Sequence, residues 1–303
     1  MSRKNFILGG ILIVLIAAAY IYQGPLKSWQ VYLSRSKNFL AVIELDNLDS
    51  LVINREGVTT TLEKEEKGWK IKGTKDFYAK SSVMDSLKDA FTEARSLRLE
   101  LVSENKDKKE EFYTGKNGIE VKLFKDQELI SNFIIGKMAS DYLSTYISRP
   151  DTDKTYSVKA NLFTPFNQAE WRDNTIFFTD KNLIDKIRFQ YPNREFTVEK
   201  DGENWRGTIP YGFQANNEKM DKMAELMSEL VAVKIPEQNF SVTGLEKHLI
   251  IIEASGEDVN NVLMIGEANE DGYYYAKKGD SDNIYLISKE QRDELDKTIG
   301  GLR

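Results

Sequence analysis

The chain has 303 residues, of which 41% are hydrophobic and 30% are charged, and its formal net charge is −6. This length is typical of about two domains, and the acidic balance argues against nucleic-acid binding, because phosphate contacts need clustered Lys and Arg. The chain contains no cysteine, which excludes disulfides, thiolate zinc sites, iron–sulfur clusters and a cysteine nucleophile within it.

The first predicted element is an apolar segment near the N-terminus. A short basic lead is followed by an uncharged run of 17 residues from Phe6 to Tyr22. As a helix this run would be about 25 Å long, close to the shortest length that spans a bilayer. It predicts a membrane anchor in residues 1–25, with the rest of the chain outside the cytoplasm. The alternative is a signal peptide cleaved near Ala17–Ala19, but the apolar run continues beyond that site and favours the anchor.

After a connector at residues 26–45, the same pattern of residues occurs twice. The matching pairs are Trp69 and Trp205, Thr114-Gly115 and Thr243-Gly244, Ile135-Gly136 and Ile265-Gly266, Tyr146 and Tyr275, and Tyr156 and Tyr285. The offset is 136 residues at the tryptophans and 129 at the last tyrosines, which is too long for a solenoid repeat. The sequence therefore predicts two tandem duplicated units, a first repeat at 46–160 and a second at 184–303, joined by a linker at 161–183.

Each repeat predicts the element order β-β-β-α-β-β-β-β. The early strands are expected at Ser50–Asn54, Thr59–Lys64 and Trp69, and at Lys186–Gln190, Glu195–Lys200 and Trp205. The helices are indicated by apolar stripes at Val83, Leu87, Ala90, Phe91 and Ala94, and at Met220, Met223, Leu226, Met227 and Leu230. Their N-cap candidates are Ser81 or Ser82 and Asn216 or Asn217.

Four meander strands are expected after each helix, and a closing helix at Lys289–Ile299. The strands are predicted at Ile119–Phe124, Leu129–Ile135, Leu143–Ser148 and Thr155–Val158, and at Leu249–Glu253, Val259–Ile265, Gly272–Lys277 and Ile284–Ile287. The fold class is therefore α+β: each unit is a mostly antiparallel sheet with one covering helix.

Two acidic turns repeat, at Pro150–Lys154 and Gly279–Asn283. Paired aspartates could begin a calcium loop, but the distal ligands of such a loop are missing, so we interpret both segments as hairpin turns capped by side chains. The only histidine, His248, has no identifiable partner for acid–base chemistry and is expected on the surface. The glycines of the Ile-Gly pairs are expected to serve a turn or a close backbone approach.

Trp69 and Trp205 are expected in the core because they repeat. The run Tyr273, Tyr274 and Tyr275 must present tyrosines to both faces of its strand, so at least one is exposed, and this run is the candidate contact surface. No catalytic residue, cofactor site or metal ligand is identified.

The pattern resembles the bacterial family catalogued as domain of unknown function 4340. The resemblance covers roughly residues 45 to 300 and rests on the anchor, on Lys67-Gly68-Trp69 and Asn204-Trp205, on the Thr-Gly and Ile-Gly pairs, and on Trp171-Arg172-Asp173 between the repeats. Asn204 departs from the pattern, because the first copy has Gly68 before its tryptophan. Members often occur beside ABC-type transporters similar to the gliding-motility auxiliary system.

The resemblance implies an accessory extracytoplasmic subunit and no catalytic residues. The leading hypothesis is therefore a single-pass, membrane-anchored binding or scaffolding protein that has ABC-type transporter subunits as partners. Two alternatives stay open: a cell-envelope enzyme that acts on glycans through carboxylates, and a carrier of a small ligand or lipid, which needs an apolar cavity.

Overall fold

The computed structural model describes residues 38–73 and 75–303. The anchor predicted at residues 1–25 and the connector up to residue 37 lie outside the described residues. No helix in the described part of the chain is long and apolar enough to cross a membrane.

The chain divides into two compact units. Of the described residues, unit 1 contains 38–72 and 81–171, and unit 2 contains 73–80 and 172–303. The strands of unit 1 are β1 (Ser50–Arg55), β2 (Val58–Glu65), β3 (Gly68–Ile71), β4 (Glu100–Ser103), β5 (Ile119–Lys125), β6 (Glu128–Met138), β7 (Thr145–Ser148) and β8 (Thr155–Val158). Its helices are α1 (Ser81–Ser96) and α2 (Phe163–Phe166).

Unit 2 has the remaining strands and helices. Its strands are β9 (Thr175–Phe178), β10 (Ile184–Tyr191), β11 (Arg194–Asp201), β12 (Asn204–Ile209), β13 (Phe213–Gln214), β14 (Glu229–Val231), β15 (Ile250–Gly256), β16 (Val259–Ala268), β17 (Tyr274–Lys278) and β18 (Ile284–Ile287). Its helices are α3 (Asn217–Ser228), α4 (Lys289–Leu295) and α5 (Ile299–Leu302).

Each unit is built on one eight-stranded antiparallel sheet, so the predicted α+β class is confirmed. The strand order is β3-β2-β1-β5-β6-β7-β8-β4 in unit 1 and β13-β12-β11-β10-β15-β16-β17-β18 in unit 2. Seven strands thus follow one another in the same order in both sheets. The sheets differ at their ends, where unit 1 adds β4 beside β8 and unit 2 adds β13 beside β12.

The core of each unit forms between one face of the sheet and the main helix. The apolar stripe of α1 is buried as predicted except that Met84 takes the place of Val83, and the Phe91 ring lies 6.2 Å from that of Phe133 on β6. Helix α3 buries a row of methionines, and its N-cap is Asn216, whose side chain accepts from the Lys219 backbone N–H. Trp69 and Trp205 are both buried, as expected for residues of the core.

Several local predictions were wrong. Ser81 is the first residue of α1 rather than its cap. The short strands β4, β9, β13 and β14 were not predicted, because each has only two to four residues and no clear alternation of apolar and polar side chains. The closing helix is interrupted after Leu295 and resumes as α5 at Ile299.

The segment that connects β3 to α1 packs in unit 2 rather than in unit 1. Phe77 is 1% exposed, and its ring lies 5.7 Å from that of Tyr285 on β18. The guanidinium of Arg172 lies 5.3 Å from the Phe77 ring, and the backbone of Ala79 forms a bridge with that of the same arginine. In unit 2 the segment that follows β12 stays in the same unit, because it forms β13 and pairs with β12.

Candidate functional site

Strand β6 leaves half of one edge open. It runs for 11 residues, whereas β7 on its outer side has four. The pairing with β7 starts at Ile134 opposite Ser148 and ends at Met138. From Glu128 to Phe133, β6 therefore has β5 on one side and, within the described part of the chain, no strand on the other. We call this stretch the free edge of β6.

A cavity of about 770 Å³ lies along the free edge. Its lining includes Phe39, Val42, Leu129, Ile130, Asn132, Tyr156 and the turn Arg149–Asp151, and we call it the β6 groove. The Phe39 ring lies 6.2 Å from the Tyr156 ring, so the two form an aromatic wall. Val42 and Leu129 are 64% and 52% exposed, so the groove is open and exposes apolar side chains beside its polar lining residues.

A β-bulge shapes the free edge. Leu123 of β5 pairs with Ser131 of β6, but the next residue, Phe124, pairs with Leu129. Ile130 is therefore the extra residue on β6, and it lines the groove. Bulges bend a strand and redirect side chains, and they are frequent next to binding and active sites.

Asn132 adds a polar group to the apolar walls. Its side-chain oxygen Oδ1 is buried and has no hydrogen-bond partner among the described residues. A buried acceptor without a partner costs about 1–3 kcal/mol, so such groups are rare in folded proteins. The lining of the groove therefore contains a buried acceptor that is unsatisfied within the described part of the chain.

The charged groups of the groove are already bonded to each other. Arg149 and Asp151 form an ion pair of 2.8 Å across their turn. The ammonium of Lys109 donates to the Thr152 carbonyl at 2.7 Å, and burial lowers the pKa of this lysine. The groove thus presents apolar side chains, backbone and an amide, while its ionisable groups stabilise its rim.

The corresponding strand of unit 2 is covered further. Strand β17 pairs with β16 from Leu263 onward, and the backbone N–H of Gly279 donates to the Val262 carbonyl at 2.8 Å. Strand β16 pairs with β15 without a bulge. The side chain of Asn261 is 4% exposed and donates to the Thr179 hydroxyl and to the Met227 carbonyl, each at 2.9 Å.

The candidate contact surface predicted from sequence lies at the start of β17. Tyr273, Tyr274 and Tyr275 are all half-buried. Lys234 lies 5.9 Å from the Tyr273 ring, and Arg292 lies 5.3 Å from the Tyr274 ring. The three tyrosines belong to unit 2, so they are not part of the β6 groove.

The acidic turns are held by their own hydroxyls and by lysines. In each turn a hydroxyl, that of Thr152 or Ser281, accepts from the backbone N–H two residues later, as expected for capped hairpin turns. Lys109 donates to a carbonyl of the first turn, and Lys75 donates to the Asp282 carbonyl of the second at 2.7 Å. His248 is exposed, with a positive φ of 50°, and ends a short 3₁₀ turn.

The repeated Thr-Gly and Ile-Gly pairs pack against each other. A Cβ on Gly136 would lie 2.2 Å from the Phe112 carbonyl oxygen, and one on Gly266 would lie 2.2 Å from the Thr243 carbonyl oxygen. Neither glycine has a positive φ, so the expected turn requirement is wrong and the expected close backbone approach is correct. The approach is to the chain itself, which explains why both pairs recur together.

Sequence reasoning missed the β6 groove. Leu129 was expected to begin a regular strand, and neither the bulge at Ile130 nor the shortness of β7 leaves a clear pattern in the sequence. The one available signal was the apolar run Leu129-Ile130, which does not alternate as a half-buried strand should.

The fold and the groove define an α+β protein with two sheet-based units, one of which carries an open strand edge. The family model described as Domain of unknown function (DUF4340) matches residues 69–239 and again residues 205–303, so the chain belongs to this family. The two matched regions begin at the paired tryptophans, Trp69 and Trp205. No curated protein and no solved structure matches the chain.

Proposed function

We propose that this chain is a membrane-anchored, extracytoplasmic binding or scaffolding subunit that is accessory to an ABC-type transport system. The observation that carries the proposal is the β6 groove. It combines apolar walls, a free strand edge and one unpartnered acceptor, Asn132 Oδ1. Such a combination is suited to binding a partner along the strand edge.

The chemistry of the groove supports binding rather than catalysis. Arg149 and Asp151, the charged residues in its lining, are bonded to each other. Acid–base catalysis needs a titratable group within hydrogen-bond reach of the reacting atom, and an amide such as that of Asn132 does not titrate.

We also propose that the two units arose by duplication of one plan. Seven strands occur in the same order in both sheets, and the family model matches twice, beginning each time at a paired tryptophan. A duplicated scaffold can keep one copy for stability while the other acquires a binding site. The free edge in unit 1 and the covered edge in unit 2 support that division.

The membrane location rests on the apolar run from Phe6 to Tyr22. The transporter association rests on the family resemblance. Both are tested by crosslinking in intact membranes, followed by gentle solubilisation, affinity capture of this chain and mass spectrometry of the captured proteins. We expect transporter subunits in the captured membrane fraction, and recovery of this chain alone would contradict the accessory role.

A matched pair of variants makes this test specific to the groove. Leu129→Arg places a charge in the β6 groove, whereas Val58→Arg places one at a 69% exposed position on β2 of the same unit. We expect Leu129→Arg to reduce the recovery of the partner and Val58→Arg to leave it unchanged. Equal recovery with both variants would remove the groove from the proposal.

The volume of the groove favours a second candidate, a carrier of a small ligand. Small-molecule sites usually enclose about 300–1,000 Å³, and the groove volume of about 770 Å³ falls in this range. Native mass spectrometry of the solubilised chain tests this candidate. A bound small molecule that Leu129→Arg displaces would favour the carrier, and a ligand-free mass would argue against it.

A further inference from the structure

We propose that the free edge of β6 binds an extended polypeptide segment of a partner protein by strand addition. An apolar side chain of that segment would lie in the β6 groove, and a basic residue would lie beside the β5–β6 turn. The inference rests on the proposed function as a binding subunit and names the site and the kind of partner.

The backbone of the free edge gives the first argument. Residues Glu128 to Phe133 are extended, and within the described part of the chain their ladder is formed only with β5. An unpaired strand edge is a template for another strand, because each exposed N–H and C=O can be satisfied by a peptide backbone. A small molecule supplies no such row of alternating donors and acceptors.

The side chains of the groove give the second argument. Val42, Leu129 and Ile130 are exposed apolar residues that line the same cavity, with the Phe39 and Tyr156 rings beside them. Alternate side chains of an added strand point to the same side, so one of them can enter such a pocket. The bulge at Ile130 places an apolar residue in the lining of the β6 groove. Strand β16 of unit 2 pairs with β15 without such a bulge.

Asn132 gives the third argument. Its Oδ1 is the buried side-chain atom that has no partner in the described part of the chain. If the side chain turns toward the groove on binding, an amide N–H of the peptide can donate to Oδ1, which would remove the cost of the unsatisfied acceptor. By strand register the position in unit 2 that matches Asn132 is Val262, and the neighbouring Asn261 has its side chain bonded within the unit.

Charge identifies the end of the groove that takes a basic residue. The β5–β6 turn, which precedes the free edge, carries the carboxylates of Asp126 and Glu128 and one ammonium, that of Lys125. Both acidic residues are exposed, and the nearby carboxylate of Asp49 accepts from the Asp126 backbone N–H. A Lys or Arg at that end of the peptide is therefore complementary in charge.

The test uses the full chain in mild detergent and two synthetic peptides. One is acetyl-Lys-Val-Thr-Val-Thr-Val-amide, and the other has the same sequence with every backbone nitrogen methylated, so that neither of its edges can donate hydrogen bonds to a strand. Hydrogen exchange is followed at those amides of residues 129–133 that do not donate to β5 and therefore face the open side of the strand. We expect the first peptide to slow their exchange about tenfold at nine-tenths occupancy, and the methylated peptide to have no effect.

Variants connect the protection to the groove. Ile130→Asp should weaken binding of the unmethylated peptide at least about tenfold, while Val58→Asp, at an exposed position on β2, should leave it unchanged. If Ile130→Asp does not fold, Asn132→Leu serves instead, because it removes the acceptor and should weaken binding about fivefold.

Three results would overturn the inference. The peptide could give no protection, or the methylated peptide could protect equally, which would exclude backbone pairing. Alternatively, the outward-facing amides of residues 129–133, those that do not donate to β5, could already be protected in the free full chain, which would mean that the chain covers its own edge.

The two proposals can fail separately. Capture of transporter subunits without any peptide effect at the free edge would refute only strand addition. A peptide effect without capture of transporter subunits would refute only the accessory role.

Discussion

In unit 1 six residues of strand β6, from Glu128 to Phe133, have no strand on their outer side in the described part of the chain, whereas in unit 2 the pairing and bonding beside the corresponding strand β16 reach Val262, its fourth residue. Strand β7 stops at Ser148 opposite Ile134, but the hydrogen bonds beside β16 continue to Val262. The two sheets share the order of seven strands, β6 and β16 included, so the difference does not come from topology. It comes from strand length, a single bulge and the bonding of one asparagine. Two sheets with the same order of seven strands can therefore differ in how much of one strand edge is left open.

The largest effect that we expect concerns the segment that connects β3 to α1. Phe77→Ala should lower the free energy of unfolding of unit 2 by about 3–5 kcal/mol, because it removes a fully buried ring that packs on Tyr285. The measurement is hydrogen exchange resolved to each unit. We expect faster exchange in unit 2 and little change in the sheet of unit 1.

Phe213→Ala is the matched variant, because Phe213 follows β12 in unit 2 and its ring fills the space left by Gly207. It should also destabilise unit 2. If Phe77→Ala instead loosened the sheet of unit 1 first, the assignment of residues 73–80 to unit 2 would be wrong.

The next effect tests the two asparagines directly. Asn261→Leu should cost about 2 kcal/mol, because the Thr179 hydroxyl and the Met227 carbonyl lose their partner in a buried place. Asn132→Leu removes an acceptor that has no partner in the described part of the chain, so it should be neutral or stabilise by up to about 1 kcal/mol.

Urea unfolding of both leucine variants measures this contrast. A loss in Asn132→Leu as large as that in Asn261→Leu would mean that the Asn132 side chain is bonded in solution. Asn132 would then offer no unsatisfied acceptor beside the free edge of β6. The difference between the units would rest on strand length and the bulge alone.

The sequence predicted the fold of both units better than it predicted the site. Paired motifs and apolar periodicity identified seven strands and the main helix of each unit, because alternation and helical spacing are strong signals in long elements. The same signals are weak for strands of two to four residues such as β4 and β13. The groove depends on where β7 ends and on the extra residue Ile130, and both are set by tertiary packing rather than by a local pattern.

The Ile-Gly pairs show how a motif can be detected and its role only partly inferred. Gly136 and Gly266 were recognised as positions that need glycine. Whether the reason was a turn or a close approach could not be read from the sequence, because the contacting carbonyls belong to Phe112 and Thr243, which lie more than 20 residues away.

A smaller effect is expected at the tip of the β6–β7 hairpin. Tyr142 is 79% exposed with a φ of 55°, whereas the corresponding tip in unit 2 has Gly272 with a φ of 83°. A side chain in this left-handed region costs about 1–2 kcal/mol. Gly272→Tyr should therefore lower the free energy of unfolding, by about 1 kcal/mol once the reduced freedom of the unfolded chain is counted against the strain.

Tyr142→Gly is the reciprocal change. It relieves the same strain but increases the freedom of the unfolded chain, so its net gain should be below about 1 kcal/mol. Thermal unfolding of both variants measures the pair. A clear loss in Tyr142→Gly would show that the exposed ring makes a stabilising contact in solution.

The smallest effect distinguishes the two units by pH. At the end of its first long strand, unit 1 has Arg55, which donates to the Gln168 carbonyl at 3.1 Å. Unit 2 has Tyr191 at the corresponding place, and its hydroxyl donates to the Lys297 carbonyl at 2.7 Å and accepts from the Lys297 backbone N–H at 2.9 Å. Only the tyrosine hydroxyl can lose a proton in mild base.

Burial, together with the nearby carboxylate of Asp296, raises the pKa of Tyr191 from 10.0 to about 12. Between these two pH values the unfolded chain has lost this proton and the folded chain keeps it. The free energy of unfolding should therefore fall as the pH rises from about 10 to about 12, and the contribution is complete below about pH 10.

Tyr191→Phe should reduce the free energy of unfolding at neutral pH by about 1 kcal/mol, because the hydrogen bonds to Lys297 are lost, and it should flatten the alkaline decline. Burial raises the pKa of Tyr285 too, so Tyr191→Phe should keep the part of the alkaline decline that comes from Tyr285. Tyr285→Phe is the control, because it removes that part and leaves Tyr191 in place. Hydrogen exchange at several pH values locates the effect. Alkaline loosening of the unit 1 sheet as early as that of unit 2 would contradict the assignment, because Tyr191 and Tyr285, whose hydroxyls have a raised pKa, both belong to unit 2.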